Sequence, residues 1–311
     1  MKKKIFIDGR AGTTGLRIYE RLEAREDIEL IILSDEERKD PIARKRALNE
    51  ADVAFLCLPD DAARESVSLI ENDNTVVIDT STAHRTLEGW CYGFPELSEA
   101  LEIKLKNSKR IAVPGCHASG FISLVYPLIE KGILPTDVLL TCHSITGYSG
   151  GGKKMIAEYE DEDRSPLFDA PRQYALGQTH KHLKEMKAIT GIDNEPVFCP
   201  IVSDFYSGMT VTVPIFASQL CDGYTVEDIK KVYAEKYTGD IVKYADVADE
   251  SGLISGAKLS GKDSMQISVA GNSDRILLIA MYDNLGKGAS GAAVECLNFV
   301  LDTDRSRGLE L

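Results

Sequence analysis

The feature that most constrains the fold is the glycine-rich stretch GRAGTTG at residues 9–15, which directly follows the apolar run KKIFID at 3–8. The residues after it, LRIYERLEAR, have the spacing of a helix. Between a strand and a helix, such glycines permit a tight turn and let backbone N–H groups approach a pyrophosphate. The stretch therefore predicts a dinucleotide-binding loop, and the alternative is a turn whose glycines serve only packing. The predicted cofactor contacts are Gly9, Gly12, Thr13, Thr14 and Gly15.

The first third of the chain alternates between short apolar runs and helical segments. This alternation predicts an α/β fold of the Rossmann type, with a doubly wound parallel sheet. The further strands predicted for this sheet are IELIILS (28–34), ADVAFLCL (51–58), TVVIDTS (75–81) and IAV (111–113).

The second part of the chain has a different pattern, with β-rich stretches such as MTVTVPIFAS and RILLIAMYD. Hairpin-type turns separate some of them, which predicts an α+β domain with a mixed or antiparallel sheet. We therefore expect a nucleotide-binding domain at 1–115, completed by a C-terminal helix in 288–311. A catalytic and oligomerisation domain is expected at 116–287.

Charge and cysteine usage argue against several classes of protein. The 311 residues include 36 Lys and Arg against 49 Asp and Glu, and the net charge of −13 argues against nucleic acid or an anionic membrane as the main partner. The sequence has no apolar run long enough to span a bilayer. Its seven cysteines form no C-x-x-C pair, a pattern typical of reduced thiols in a cytoplasmic protein.

The end of the second predicted strand bears on the choice of cofactor. Ser34 stands where an NAD-preferring site usually has Asp or Glu, and Arg38 follows shortly after. A hydroxyl and a guanidinium can hold a 2′-phosphate, which favours NADP. A solvated charged loop is an equally good interpretation. After the fourth strand, Arg85 can bind a phosphate or a carboxylate, or form a surface ion pair.

Cys116 lies in VPGCHASG, between the short strand RIAV and a stretch with helical spacing. A thiol at a helix N-terminus is stabilised as a thiolate, so Cys116 is a candidate nucleophile; a buried structural thiol is the alternative. His180 and His182 are candidates for the general acid/base beside it, and the sequence does not choose between them. They would not share a helix face, so no metal site is predicted. The other histidines, His84, His117 and His143, are expected to be structural.

Two further glycine-rich stretches occur in the second part of the chain. SITGYSGGGK ends at Lys153 and can wrap an anion, but it lacks the spacing of a nucleotide kinase loop. YDNLGKGASGAA contains Asn284 and precedes the last predicted helix, so it either touches the cofactor or only begins that helix.

In this order, the motifs resemble the family of N-acetyl-gamma-glutamyl-phosphate reductases, in its shorter form, nearly end to end. The motifs that carry the resemblance are GRAGTTG, FLCLPDDAARE, IDTSTAHR, YGFPEL, VPGCHASG, ITGYSGGGK, QTHKHLKEM, FYSGM and DNLGKGASGAA. The chain is more distantly similar to aspartate-semialdehyde dehydrogenase. His117 is a departure, because the longer form of the family commonly has an aromatic residue after the cysteine.

The resemblance implies reduction of N-acetyl-L-glutamyl 5-phosphate, a small acyl phosphate, by NADPH through a thioester on Cys116, in arginine biosynthesis. It implies His180 or His182 as the acid/base, with His180 slightly favoured. Substrate contacts are expected at Arg85 for the phosphate and, with less support, at Lys153 and Arg172 for the phosphate or α-carboxylate. Asn284 is expected to hold the nicotinamide amide. A homotetramer or homodimer is implied as well.

Three alternatives remain at this stage. The first is a reductase of another acyl phosphate, such as aspartyl phosphate. The second is a catalytically inert NADP-binding regulatory protein, against which Cys116 and the two histidines argue. The third is a cysteine hydrolase without a cofactor, against which the GRAGTTG loop argues.

Overall fold

A computed structural model describes residues 2–246 and 250–311. Its strands are β1 (Lys3–Asp8), β2 (Ile28–Ile31), β3 (Val53–Leu56), β4 (Val76–Asp79), β5 (Cys91–Tyr92), β6 (Arg110–Ala112), β7 (Thr141–Gly147), β8 (Arg172–Gln173), β9 (Val197–Ser203), β10 (Met209–Phe216), β11 (Val242–Tyr244), β12 (Met265–Gly271) and β13 (Arg275–Tyr282). Its α-helices are α1 (Thr13–Leu22), α2 (Pro41–Glu50), α3 (Asp60–Ser68), α4 (Glu99–Asn107), α5 (Cys116–Glu130), α6 (Gly152–Glu160), α7 (His182–Thr190), α8 (Val226–Lys236) and α9 (Gly291–Val300).

The chain divides into two compact units. The first unit comprises the chain up to Gly115 together with Ala289–Leu309, and the second comprises Cys116–Gly288 with Glu310–Leu311. The last two residues group with the second unit because Glu310 exchanges backbone and side-chain hydrogen bonds with Asp263.

The first unit is built on a parallel sheet with the strand order β2-β1-β3-β4-β6-β5 among the described residues. This confirms the predicted doubly wound Rossmann sheet. Both faces of β1 are buried because Ile5 and Phe6 point into two separate cores. Ile18 of α1 and Val294 of α9 pack with Ile5, while Leu48 of α2 packs with Phe6.

The second unit is built on a mixed sheet, in the order β11-β12-β13-β10-β7-β9-β8 within the described part of the chain. Strands β12, β13, β10 and β7 pair antiparallel, whereas β7–β9 and β11–β12 are parallel. The mixed sheet of the predicted α+β domain is thereby confirmed. Helix α5 packs on one face against β10 and β13. A Cβ at Gly120 would lie only 2.6 Å from the side chain of Val211, so glycine permits this close approach.

The opposite face of this sheet is only partly covered. Ile254 and Leu259 pack on Ile279 and Met281 there. Beyond them, apolar side chains on the same face are exposed. We call this set the open sheet face: Ile145, Val197, Phe216 and Leu277. In the part of the chain that the structure describes, no helix is both long and apolar enough to cross a membrane.

Candidate active site

The nucleotide loop of the first unit requires glycine at two positions. Gly9 has φ +87°, and a Cβ there would lie 2.3 Å from the carbonyl oxygen of Cys57. A Cβ at Gly15 would lie 2.5 Å from the carbonyl oxygen of Gly9. Gly12 begins α1 and donates its N–H to Gly9 at 2.9 Å. The loop therefore leaves backbone N–H groups accessible at the start of α1, with no side chain in the way. Such a site fits the pyrophosphate of a dinucleotide.

A cavity of about 180 Å³ adjoins this loop and is lined by Gly9 and by the end of β2. Its walls include three guanidinium-bearing residues, Arg10, Arg38 and Arg44. Arg44 is held by the buried carboxylate of Asp8 at 3.0 Å. The other two cations are less constrained, and they suit an anionic group such as a phosphate.

The two residues predicted to select the cofactor are placed differently. Arg38 lines the cavity and pairs with the exposed Asp35 at 3.4 Å. The Ser34 hydroxyl instead accepts the N–H of Glu37 at 3.2 Å, within the turn that follows β2. Arg10, which lies over the ring of Tyr19, is not among the cofactor contacts predicted from the sequence. The sequence feature that indicates its proximity to the cofactor loop is its position between two glycines of the motif.

Arg85 also belongs to the first unit and lies at the carboxyl edge of its sheet. The side chain is buried, and it donates to the carbonyl oxygens of Val113 at 2.9 Å and Thr80 at 3.0 Å. Next to it, His84 bonds the carboxylate of Asp79 at 2.6 Å. These contacts fix the segments that follow β4 and β6. The role of Arg85 towards a phosphate remains a prediction.

Cys116 is half-buried and is the first residue of α5. The Tyr282 hydroxyl donates to the carbonyl oxygen of Cys116 and accepts the N–H of Gly120 at 3.0 Å. The α-carbon of Gly288 also approaches Cys116, since a Cβ there would lie 3.1 Å from the cysteine Cβ. Tyr282 and Gly288 thus contact the first turn of α5. The thiol lies at the N-terminus of this helix, where the helix dipole favours a thiolate.

The environment of other cysteines differs from that of Cys116. Burial raises the pKa of the Cys57 thiol to about 12 and raises the pKa of Cys142 as well. Cys91 and Cys296 are buried among apolar side chains of the first unit. These thiols are unsuited to nucleophilic attack.

Three histidine rings of the second unit form one cluster. The ring centroid of His117 lies 5.8 Å from that of His180 and 5.6 Å from that of His182, and the last two are 4.7 Å apart. His180 is half-buried, whereas His182 begins α7 as a buried residue. Among the described residues, no group of three or more His, Cys, Asp or Glu is arranged to hold a metal ion.

His117, which the sequence analysis expects to be structural, is hydrogen-bonded at both ring nitrogens. Its Nδ1 lies 2.6 Å from the Ser144 hydroxyl and its Nε2 lies 2.6 Å from the Tyr174 hydroxyl. Burial, with a smaller contribution from His180, lowers the pKa of His117 to about 3, so the ring is neutral at physiological pH. The sequence feature that indicates its proximity to the candidate nucleophile is its position directly after Cys116.

The remaining predicted contacts are separate side chains of the second unit. Asn284 is buried, accepts the N–H of Gly208 at 2.9 Å and donates to the Ser149 hydroxyl at 3.0 Å. Arg172 is exposed on β8, with its guanidinium 4.1 Å from the centre of the Phe168 ring. Lys153 is exposed in the first turn of α6. Their roles towards substrate or cofactor remain predictions.

Comparisons with known proteins match most of the chain. The profile of the semialdehyde dehydrogenase dimerisation domain matches residues 116–284, and that of the semialdehyde dehydrogenase NAD-binding domain matches 38–104. The chain is 46% identical to N-acetyl-gamma-glutamyl-phosphate reductase of Chelativorans sp., over 97% of this chain and 99% of the relative. It is 44% identical to N-acetyl-gamma-glutamyl-phosphate reductase 2 of Nostoc sp., over 99% of each.

Among solved structures, aspartate semialdehyde dehydrogenase II of Vibrio cholerae matches with a TM-score of 0.74 and 16% identity, over 97% of this chain and 99% of that one. Aspartate semialdehyde dehydrogenase of Candida albicans, solved with NADP, matches with a TM-score of 0.66 and 16% identity over the same shares. At this identity the likeness shows the fold alone.

Proposed function

The chain belongs to the family of N-acetyl-gamma-glutamyl-phosphate reductases, and on that premise we propose that it reduces N-acetyl-L-glutamyl 5-phosphate to N-acetyl-L-glutamate 5-semialdehyde with release of phosphate. The reaction is an oxidoreduction and belongs to arginine biosynthesis. The observation that carries the proposal is the half-buried Cys116 at the start of α5. The ring centroid of the next residue, His117, lies within 6 Å of those of His180 and His182.

Cys116 is the proposed nucleophile. Its thiolate forms a bond to the acyl carbon, and the electron pair of the C=O π bond moves onto oxygen. That pair returns as the C–O bond to phosphate breaks, so phosphate leaves and a thioester remains on Cys116. A thiolate suits this chemistry because it is both a strong nucleophile and a good leaving group in the final step.

His180 is the proposed acid/base. It is half-buried and therefore accessible to a ligand, whereas His182 is buried and donates its backbone N–H to His180 Nδ1 at 3.2 Å. His180 takes the thiol proton when Cys116 becomes a thiolate. In the final step the electron pair on the oxygen of the tetrahedral carbon re-forms the C=O bond, the C–S pair returns to Cys116, and His180 gives the proton back to the sulfur. Neutral His117 adjoins this histidine.

The first unit is the proposed cofactor domain, and a nicotinamide dinucleotide fits its glycine loop. When bound, this cofactor supplies the hydride that brings the thioester carbon to the aldehyde level. We infer NADP rather than NAD, because Arg10 and Arg38 line the cavity beside the loop. Arg38 keeps the role proposed from the sequence, and so does Ser34, because its hydroxyl accepts the N–H of Glu37 and still has its own hydrogen to donate to a 2′-phosphate.

Arg85 is proposed to bind the substrate phosphate, and Lys153 and Arg172 its phosphate or α-carboxylate. Asn284 is proposed to reach the nicotinamide amide with its remaining Nδ2 hydrogen. The match to a dimerisation domain indicates an oligomer, and we propose a homodimer or homotetramer in the cytoplasm.

The test of this function is the reverse reaction. Purified protein is mixed with N-acetylglutamate semialdehyde, phosphate and NADP, and NADPH formation is followed by absorbance. We expect phosphate-dependent NADPH formation that Cys116→Ser abolishes and that Cys221→Ser, another partly exposed thiol, leaves intact. Full activity in Cys116→Ser would reject the thioester mechanism, and activity only with aspartate semialdehyde would reject the substrate.

A further inference from the structure

Three polar side chains of the second unit, Ser144, His117 and Tyr174, are joined by hydrogen bonds through the residue that follows Cys116. Ser144 on β7 is fully buried, and His117 is nearly so. His117 bridges the hydroxyls of Ser144 and Tyr174 with its two ring nitrogens, at 2.6 Å each. Tyr174 is half-buried, and its backbone N–H donates to Pro200 on β9 at 3.1 Å. The tyrosine is therefore fixed both at its backbone and at its hydroxyl.

The burial of Ser144 determines where the protons of these three side chains lie. In the described part of the chain, His117 Nδ1 is the one hydrogen-bond partner of the Ser144 hydroxyl. A buried hydroxyl whose hydrogen finds no acceptor carries a desolvation cost, so Ser144 donates its hydrogen to Nδ1. The neutral ring then carries its single proton on Nε2 and donates it to the Tyr174 oxygen.

This arrangement leaves the Tyr174 O–H directed away from His117. The hydroxyl oxygen accepts from Nε2–H, so its own hydrogen is available to an acceptor in the site. Burial and the neighbouring Cys116 raise the pKa of Tyr174, so this hydroxyl keeps its proton at neutral pH. His117 directly follows Cys116 in α5 and bonds the Tyr174 hydroxyl at 2.6 Å, so the phenol lies beside the first turn of this helix.

We propose that Tyr174 is a catalytic residue whose hydroxyl donates a hydrogen bond to the substrate carbonyl oxygen when Cys116 attacks, with His117 and Ser144 as positioning residues. This inference rests on the proposed acyl chemistry of Cys116. As the C–S bond forms, the π pair moves onto the carbonyl oxygen, where a preorganised donor stabilises the charge. The pair then reforms the C=O bond as phosphate departs, and Tyr174 retains its proton throughout.

The test separates acylation of Cys116 from its alkylation. Acetyl phosphate acylates the thiol through an oxyanion, whereas iodoacetamide alkylates it without forming one. Acetylation of the Cys116 peptide is followed by mass spectrometry, with Cys116→Ser to identify background. We expect Tyr174→Phe to slow acetylation on the order of 10²-fold while the alkylation rate stays within about twofold.

Variants of His117 test the orientation of the hydroxyl. His117→Leu removes the Nε2–H donor and should slow acetylation nearly as much as Tyr174→Phe. His117→Gln places an amide N–H near the same position and should restore part of the rate. Tyr224→Phe, on an exposed loop, is the matched control and should behave as wild type.

Each other outcome overturns the proposal in a recognisable way. Equal loss of acetylation and alkylation in Tyr174→Phe would show that the tyrosine acts on the thiol or on the fold. Unchanged acetylation in that variant, or no acetylation in the wild type, would reject the proposed role of Tyr174 as the donor to the carbonyl oxygen. Normal Cys116 acetylation without turnover of N-acetylglutamate semialdehyde would instead reject the proposed substrate and leave this result standing.

Discussion

At the scale of single residues, the first turn of α5 depends on one side chain from a distant strand. The Tyr282 hydroxyl bridges the carbonyl of Cys116 and the N–H of Gly120, the two groups that an α-helix pairs with each other. The bridge works only if position 120 is glycine, because a Cβ there would lie 2.7 Å from the hydroxyl oxygen. The orientation of Cys116 is therefore coupled to Gly120.

We expect Gly120→Ala to lower stability by roughly 1–3 kcal/mol through overpacking, and to slow alkylation of Cys116 by moving Tyr282. Urea unfolding and the iodoacetamide rate measure the two effects. The control is Gly239→Ala, where the added Cβ would be in ordinary contact at 3.7 Å. If Gly120→Ala were as stable and as reactive as wild type, Tyr282 would have no part in holding the nucleophile.

The position of a residue was predictable where the local sequence defines it, and not where it depends on contacts between distant segments. Cys116 follows a short strand and begins a helix, so its helix-terminal position could be read directly. His117 could not be interpreted in this way. Its partners Ser144 and Tyr174 lie 27 and 57 residues further along the chain, on β7 and after β8. Only the pairing of β7, β9 and β8 brings them to the ring.

At the scale of elements, the proposed preference for NADP depends on the connection from β2 to α2. Arg38 follows β2, and Arg10 lies in the loop after β1; both line the same cavity. A guanidinium bound to a phosphate contributes about 1.5–3 kcal/mol, which corresponds to roughly 10- to 100-fold in affinity. NAD lacks the 2′-phosphate, so its binding should not depend on these cations.

We expect Arg38→Ala and Arg10→Ala each to raise the KM for NADP about 10-fold or more, with little change in the KM for NAD. The control is Arg46→Ala, an exposed guanidinium that bonds Glu37 at 3.2 Å and does not line the cavity. Steady-state kinetics with both cofactors would decide. Equal loss with NAD and NADP would assign the arginines to the common part of the cofactor and refute the preference.

Elements were predictable where hydrophobic periodicity is strong. Strands β1 to β4 lie within the predicted runs, but β2 ends at Ile31 and β3 spans only Val53–Leu56, so both are shorter than predicted. Strand β6 spans Arg110–Ala112 and is shifted by one residue from the predicted run 111–113. The short strand Cys91–Tyr92 was not predicted, because two residues give no periodicity. It is defined by pairing with β6, a long-range contact that the local pattern does not contain.

At the scale of the whole molecule, the open sheet face is the surface through which we expect copies of this chain to associate. Ile145, Leu277 and Phe216 expose apolar side chains on one face of the sheet that matches a dimerisation domain. Apolar side chains that are exposed on a sheet face favour burial of that face against a partner. A standard interface buries about 800 Å² per copy.

We therefore expect Leu277→Lys to shift the assembly to a smaller species, because two like charges would be buried where a second copy meets the face. Sedimentation velocity at several concentrations measures the shift, and circular dichroism verifies that the subunit remains folded. Ile42→Lys is the matched control, since Ile42 is 79% exposed in the first unit.

An unchanged sedimentation coefficient for Leu277→Lys would place the subunit interface elsewhere. A smaller, folded and inactive species would show that assembly is needed for the reaction, while a smaller active species would make each subunit a complete catalyst.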